Sequence, residues 1–286
     1  MAAYPPLGLF RDEAALVTGS ASNIGRAIAL ALAREGAVVR CVDVDGERNG
    51  SLVAEIGKIG GRAEAVTADL ASTDGWRAAL PGAGVNVSLF VHSASPPRKE
   101  SDGALAVGEA TFDAMLNTNV RSGFLLARAL GQRMRDAAVK GRMLFITSLH
   151  AETPRNIPHY SAAKAGQTML VKELARALGP AGIRVNALAP GAVPGGGFNA
   201  AAFDFSAKIP LAGSAGPRTW RIWRWRSSRT AFRATSRGRR WWLMAALPST
   251  TGSRCRRPRA GPPGLGAGAA ESSRCASGCA GRPAPL

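Results

Sequence analysis

Acidic residues are scarce in this chain: 19 Asp and Glu stand against 37 Lys and Arg, giving a formal charge of +18 over 286 residues. Such a balance ordinarily points to nucleic acid or a membrane surface. It is unevenly held, however, because residues 217–286 contain 15 Arg and a single Glu, leaving only +4 for residues 1–216. Cysteine is also sparse. Of four, only Cys41 lies in the body of the chain, which excludes a disulfide framework there. The three histidines, His92, His150 and His159, are too scattered for a metal-ligand motif, and an ordinary hydrogen-bonding role is expected for each. Two further patterns are lacking: an apolar run long enough to cross a bilayer, and a charged start leading into an apolar signal core. A cytoplasmic chain without a membrane partner is expected.

What the body lacks, the tail has. Trp220, Trp223, Trp225, Trp241 and Trp242, with Cys255, Cys275 and Cys279, all follow residue 216. Two compositions are joined, and the chain divides into a body at 1–212 and an atypical, irregular basic tail at 213–286.

The body alternates short apolar runs with helical periods. Strands are expected at 14–18, 37–44, 62–68, 85–92, 143–147 and 183–188. Helices are expected at 24–34, 51–59, 76–80, 112–135 and 160–178. Runs such as Ser88 to Val91 and Leu144 to Ile146 suit strands covered on both faces, as in a parallel sheet. With right-handed crossovers this gives a Rossmann-like, doubly wound α/β fold, whose ligands lie beyond the carboxyl ends of the strands.

Three motifs fall at such ends. The glycine-rich turn Thr18-Gly19-Ser20-Ala21-Ser22-Asn23-Ile24-Gly25 joins the first strand to the first helix. Gly19 permits a tight turn, Gly25 a close helix–strand approach, and the helix N-terminus offers free N–H groups to a pyrophosphate. Asp43, 24 residues after Gly19 at the end of the second strand, suits the hydroxyls of an adenosine ribose and repels a 2′-phosphate; a surface or capping role is the alternative. Asp69, after the third strand, is a further candidate for the adenine end. Tyr160 and Lys164 are one helical turn apart. A free phenol, with a pKa of about 10, is a poor base near neutrality, and an adjacent ammonium favours its ionised form. Taken alone, such a pair also marks an ordinary solvated helix face. Ser148, ending the preceding strand, can hydrogen-bond a reacting oxygen.

Thr18 to Gly25, Asp43, Asn119, Ser148, Tyr160 to Lys164 and Pro190-Gly191 together resemble, in order and approximate spacing, the short-chain dehydrogenase/reductase family. The resemblance covers roughly residues 14–211. It implies that Tyr160 exchanges a proton with an alcohol or carbonyl while hydride moves to or from nicotinamide. Ser148 then holds the substrate oxygen, Lys164 binds the nicotinamide ribose, and Asn119 keeps a water in the proton path; a helix-interior amide satisfying nearby backbone is the alternative for Asn119. The implied cofactor residues are Gly19, Ser22, Asn23, Ile24, Gly25, Asp43, Asp69, Leu70, Ser93, Ala94, Tyr160, Lys164, Pro190, Gly191 and Val193.

The chain also departs from the family pattern. The middle glycine of the phosphate loop is Asn23, which can adopt the left-handed conformation at modest cost. Where the family has Asn-Asn-Ala-Gly, this chain reads His92-Ser93-Ala94-Ser95, and Gly195 replaces the Thr that follows Pro-Gly. Ser22, in place of a basic residue, together with Asp43 favours NAD over NADP. Arg40 is a competing basic group on the second strand.

Family members end in a helix and a seventh strand closing on a Val-Asp-Gly-Gly-like sequence; neither is legible here. Trp has one codon, TGG, and reading one base earlier converts a Trp-Arg pair into Leu-Ala. From Thr219 permissible codons then give Leu-Ala-Asp-Leu-Ala-Leu-Ala-Phe-Leu, and from Phe232 to Ala246 a stretch ending Val-Val-Asp-Gly-Gly. A frameshift is the preferred reading of the tail, and a nucleic-acid-binding arm of Arg and Trp the competing one. On the frameshift reading the last helix and seventh strand are missing. A homodimer through the long helices remains, and a tetramer is not expected.

The expected activity is interconversion of a small-molecule alcohol and carbonyl with NAD. The alternative is a catalytically silent nucleotide-binding protein.

Overall fold

Alternation along each strand decides how the sheet is covered. In the first strand, β1 (Ala14–Thr18), Leu16 packs on one face and Ala15 and Val17 on the other. The same division holds for Val42 against Cys41 in β2 (Val38–Asp43), and for Phe90 against Leu89 and Val91 in β4 (Val87–His92). It recurs for Phe145 against Leu144 and Ile146 in β5 (Arg142–Ile146). Each of these four strands thus has apolar side chains on both faces, so helices must cover both. The structure is a computed structural model that describes residues 6–99, 101–191 and 193, together with the backbone of 240–243.

The helices α1 (Asn23–Arg34) and α2 (Gly46–Lys58) cover one face, supplying Ala29, Leu32, Leu52 and Ile56. The other face is covered by α3 (Thr73–Ala79), α5 (Ser122–Asp136) and α6 (Pro158–Leu178), which contribute Trp76, Leu126, Leu130, Val171 and Leu174. Between these layers the strands run β3-β2-β1-β4-β5-β6-β7, all parallel, with β3 at Arg62–Thr67, β6 at Arg184–Pro190 and β7 at Arg240–Leu243. Strand order reverses between β1 and β4. The carboxyl ends of those two strands therefore flank the crevice where such sheets bind ligands.

Two elements differ from the sequence expectation. The helix expected at 112–135 is α4 (Glu109–Leu116) and α5 joined by a π turn at Asn117–Arg121. The helix α2 begins at Gly46 because the Asp45 side chain accepts Arg48 N–H and caps it.

The absence of a seventh strand is corrected. The backbone of Arg240–Leu243 forms β7, parallel to β6, with Ala187 opposite Arg240 and Pro190 opposite Leu243. An open edge of unpaired N–H and C=O groups accepts any extended segment that reaches it. The described residues belong to one compact unit, Met1–Pro248. The region where the expected absence of a final helix would be seen, the glycine-rich segment at 194–197, most of the tail and residues 249–286 lie outside the described residues. Among the described residues no helix is long and apolar enough to cross a membrane, and no acid, His or Cys cluster could hold a metal.

Candidate active site

The turn after β1 is shaped by close approach. Gly19 has φ +66°, and a Cβ there would come within 2.6 Å of the Ala94 nitrogen; one on Gly25 would come within 1.9 Å of the Gly19 carbonyl oxygen. No side chain fits at either position. Asn23 takes φ +47°, the left-handed conformation expected of it. Ser22 occupies the N-cap of α1, yet no side chain caps that helix. The first-turn N–H groups of Asn23, Ile24 and Gly25 accordingly have no helical acceptor and remain as donors at the carboxyl end of β1. A pyrophosphate fits this arrangement.

Asp43 ends β2 with both carboxylate oxygens on backbone: Oδ2 accepts Ala21 N–H at 2.8 Å and Oδ1 accepts Asp45 N–H at 3.0 Å. Each oxygen keeps a lone pair for a hydroxyl. Arg40 does not compete for this place. Its guanidinium donates to the Ala78, Ala79 and Leu80 carbonyls at the end of α3 and pairs with Glu64. Asp69 is exposed, with Oδ1 accepting Ala71 N–H at 2.9 Å, and Leu70 beside it is buried. Ser93 and Ala94 both donate N–H to Thr18 Oγ1, at 3.2 and 3.3 Å. Pro190 closes β6, followed by the half-buried Gly191 and Val193.

The π turn brings the remaining candidates together. One extra residue per turn releases backbone carbonyls from the helical ladder. The Asn119 carbonyl accepts from Gln167 Nε2 at 2.9 Å and from His92 Nε2 at 3.1 Å, and the Thr118 carbonyl lies 3.2 Å from the same His92 nitrogen. Two carbonyl partners require Nε2 to carry the hydrogen, so Nδ1 accepts from the Thr18 hydroxyl at 2.9 Å. Burial pushes His92 down to about 4, with the Lys164 charge adding to it.

Lys164 is buried and donates all three ammonium hydrogens: to Asn119 Oδ1 at 2.8 Å, the Ile146 carbonyl at 2.9 Å and Gln167 Oε1 at 3.0 Å. Its Nζ lies 5.5 Å from the centre of the Tyr160 ring. Burial, reinforced by the charge of Arg98, brings Lys164 down to about 7. The Asn119 amide nitrogen meanwhile donates to the Met115 carbonyl at 3.0 Å and to Ser95 Oγ at 3.2 Å. Asn119 thus satisfies nearby backbone and holds Lys164 directly. Ser148 is buried beyond β5, and its Oγ accepts His150 N–H at 3.3 Å. The His150 ring meets the Tyr160 ring edge-on at 5.2 Å.

Sequence reasoning overlooked two residues here, Gln167 and Arg98. Gln167 was detectable from its i+3 spacing to Lys164. His92, read as an ordinary hydrogen-bonding histidine, has that role at a decisive place. Arg98, whose guanidinium carbon lies 4.6 Å from the Tyr160 ring centre, gave only one signal, its position just beyond β4.

This geometry agrees with comparison to known proteins. The family model described as short chain dehydrogenase matches residues 13–202. The chain belongs to the short-chain dehydrogenase/reductase family, a family of NAD(P)-binding oxidoreductases. A protein from Rhizobium meliloti (strain 1021) named probable galactose dehydrogenase is 35% identical over 187 residues, covering 64% of this chain and 72% of its own. Among solved structures, a 3-oxoacyl-[acyl-carrier protein] reductase with bound NAD from Brucella melitensis is 25% identical, with a TM-score of 0.71, covering 84% of this chain and 94% of that one. A 3-oxoacyl (acyl-carrier-protein) reductase from Agrobacterium tumefaciens C58 with NADP bound is 28% identical, with a TM-score of 0.59, covering 64% and 71%.

Proposed function

We propose that this chain interconverts a secondary alcohol and a carbonyl, with Tyr160 as acid/base. The observation that carries the reading is the buried Lys164 ammonium, held by three acceptors 5.5 Å from the Tyr160 ring. In its ammonium form Lys164, already held in place, stabilises negative charge that develops on the phenol oxygen as its proton leaves, and costs no reorganisation at that moment. Ser148, on the adjoining turn, holds the substrate oxygen by its hydroxyl. Asn119 and Gln167 orient the lysine. The uncapped start of α1 holds a pyrophosphate, and Asp43 the adenosine ribose. When bound, nicotinamide dinucleotide supplies or accepts the hydride.

NAD is the preferred form on this reading. Asp43 repels a 2′-phosphate, Ser22 carries no charge to attract one, and Arg40 is committed to the end of α3. Phe124 and Met169 are large apolar residues exposed on α5 and α6, which supports a homodimer through those helices. We place the activity in the cytoplasm, in keeping with the single buried, unpaired Cys41 of the body.

A second reading, a nucleotide-binding chain with little turnover, draws on the same lysine. All of its hydrogens are already donated to protein, so a ribose hydroxyl must displace one acceptor. The test is reduction of NAD and of NADP by a panel of secondary alcohols, followed by cofactor absorbance. Turnover supports the first reading, whereas cofactor binding without turnover on any alcohol or ketone selects the second.

We also infer that the chain from Thr219 onward is encoded out of frame, and that residues 213–286 form a basic tail beyond the catalytic body, of which Arg240–Leu243 joins the sheet as β7. The family match ends at residue 202, in keeping with both. A stop or unrelated residues in the one-base-earlier frame of the coding DNA contradicts the frameshift.

A further inference from the structure

The loop between β4 and α4 places a guanidinium over the candidate acid/base. Arg98 stands 4.6 Å from the centre of the Tyr160 ring, closer than the Lys164 nitrogen at 5.5 Å, and is half-buried. Among the described residues no carboxylate pairs with it. Asp102, an acid of the same loop, is engaged elsewhere: its Oδ2 accepts Lys99 N–H at 3.0 Å and lies 3.8 Å from His159 Nε2. The aromatic face offsets part of the cost of desolvating a guanidinium, but leaves its five N–H donors without an anion to match their fork.

The surroundings carry the same sign. Arg98 and Arg155 both act on His150, whose ring contacts Tyr160 and whose buried Nδ1 has no partner; burial first, and these charges second, hold it down to about 4. Lys164 adds its charge 5.5 Å from the ring centre. The loop is tied in place. Ala104 N–H donates to Asn156 Oδ1 at 3.1 Å, Asn156 takes φ +55°, and Gly103 sits so close that a Cβ would come within 2.9 Å of Asn156 Nδ2. A tied loop presents Arg98 with little entropy left to lose on binding.

We infer that Arg98 is a specificity residue which pairs an oxyanion of the substrate, a carboxylate or phosphate, held beside the alcohol or carbonyl that reacts at Tyr160. The substrate class is then a hydroxy or oxo acid, or a phosphorylated alcohol or ketone. This deepens the function proposed above and rests on Tyr160 meeting the reacting oxygen. A charge-assisted, bidentate contact of this kind discriminates against a neutral analogue by about tenfold or more.

The test uses the full chain and two matched pairs: 4-oxopentanoate against its methyl ester, and dihydroxyacetone phosphate against dihydroxyacetone. The first pair reads carboxylate recognition and the second phosphate. The quantity measured is the charged-to-neutral ratio of kcat/KM, and in parallel the ratio of affinities by calorimetry in the presence of cofactor. We expect a ratio of at least about ten in one pair, falling to near one in Arg98→Gln and partly restored in Arg98→Lys. A ratio near one in both wild-type pairs, or a ratio that Arg98→Gln leaves unaltered, overturns the assignment. Because affinity is read separately, a chain that binds the charged member through Arg98 but turns nothing over supports this inference while counting against the proposed chemistry. Conversely, turnover that depends on Tyr160 but is indifferent to charge retains the chemistry and removes the role of Arg98.

Discussion

Thr18 and His92 are joined by a hydrogen bond of 2.9 Å across the crevice where the strand order reverses. Through its other nitrogen His92 reaches the carbonyls of Thr118 and Asn119, so one imidazole links the glycine-rich turn after β1 to the turn that holds Lys164. Removing the ring leaves a cavity and two carbonyls without that donor. His92→Ala is expected to lower unfolding stability by about 2–4 kcal/mol, read from denaturant midpoints. His92→Asn, the residue the family carries at this place, is expected to lose less.

The same histidine sets a pH dependence. Its folded value is about 4, below its ordinary 6.5, so the unfolded state binds the proton more readily. The neutral ring's contribution is fully present above about pH 6.5 and is lost as pH falls towards 4, at a total cost on the order of 3 kcal/mol. Thermal melts across that interval should show the decline in wild type. A reduced slope is expected in His92→Asn, with His150, held low by burial, accounting for part of the remainder.

Gly25→Ala places a methyl group 1.9 Å from the Gly19 carbonyl oxygen, with backbone as the obstacle. The loop must open, and overpacking of this kind costs about 1–3 kcal/mol or more. The expected outcome is a lower melting temperature together with loss of NAD binding in calorimetry.

Asp43→Ser removes the carboxylate that repels a 2′-phosphate while keeping a small polar group. The ratio of kcat/KM for NAD over NADP is expected to fall by about tenfold or more, since each factor of ten corresponds to about 1.4 kcal/mol. An unaltered ratio would remove Asp43 from the account of cofactor choice.

Much of the fold could be read directly. The inner strands were visible as apolar runs, because a sheet covered on both faces demands them, whereas the edge strand β3, Arg62–Thr67, is largely exposed and was read from its place in the alternation of strands and helices; the glycines of the turn after β1 announced contacts that admit no side chain. The π turn was not legible. One inserted residue near Asn119 barely perturbs an apolar period averaged over the long helix, yet it is what turns two carbonyls towards His92 and Gln167. Arg98 was hidden for another reason: a loop residue beside Pro96-Pro97 has no period, and its place over Tyr160 is set by a tie to Asn156 far along the chain. The seventh strand belongs to a segment whose composition argued against it. Pairing at an edge depends on backbone, and so is open to Arg240-Trp241-Trp242-Leu243 as readily as to an aliphatic run.

The most direct measurement is single-turnover hydride transfer in Tyr160→Phe, with cofactor binding measured alongside. If the phenol moves the proton, the rate falls by about 100-fold or more while cofactor affinity stays within a few-fold of wild type. A rate within about tenfold of wild type, with cofactor bound, would contradict the assignment.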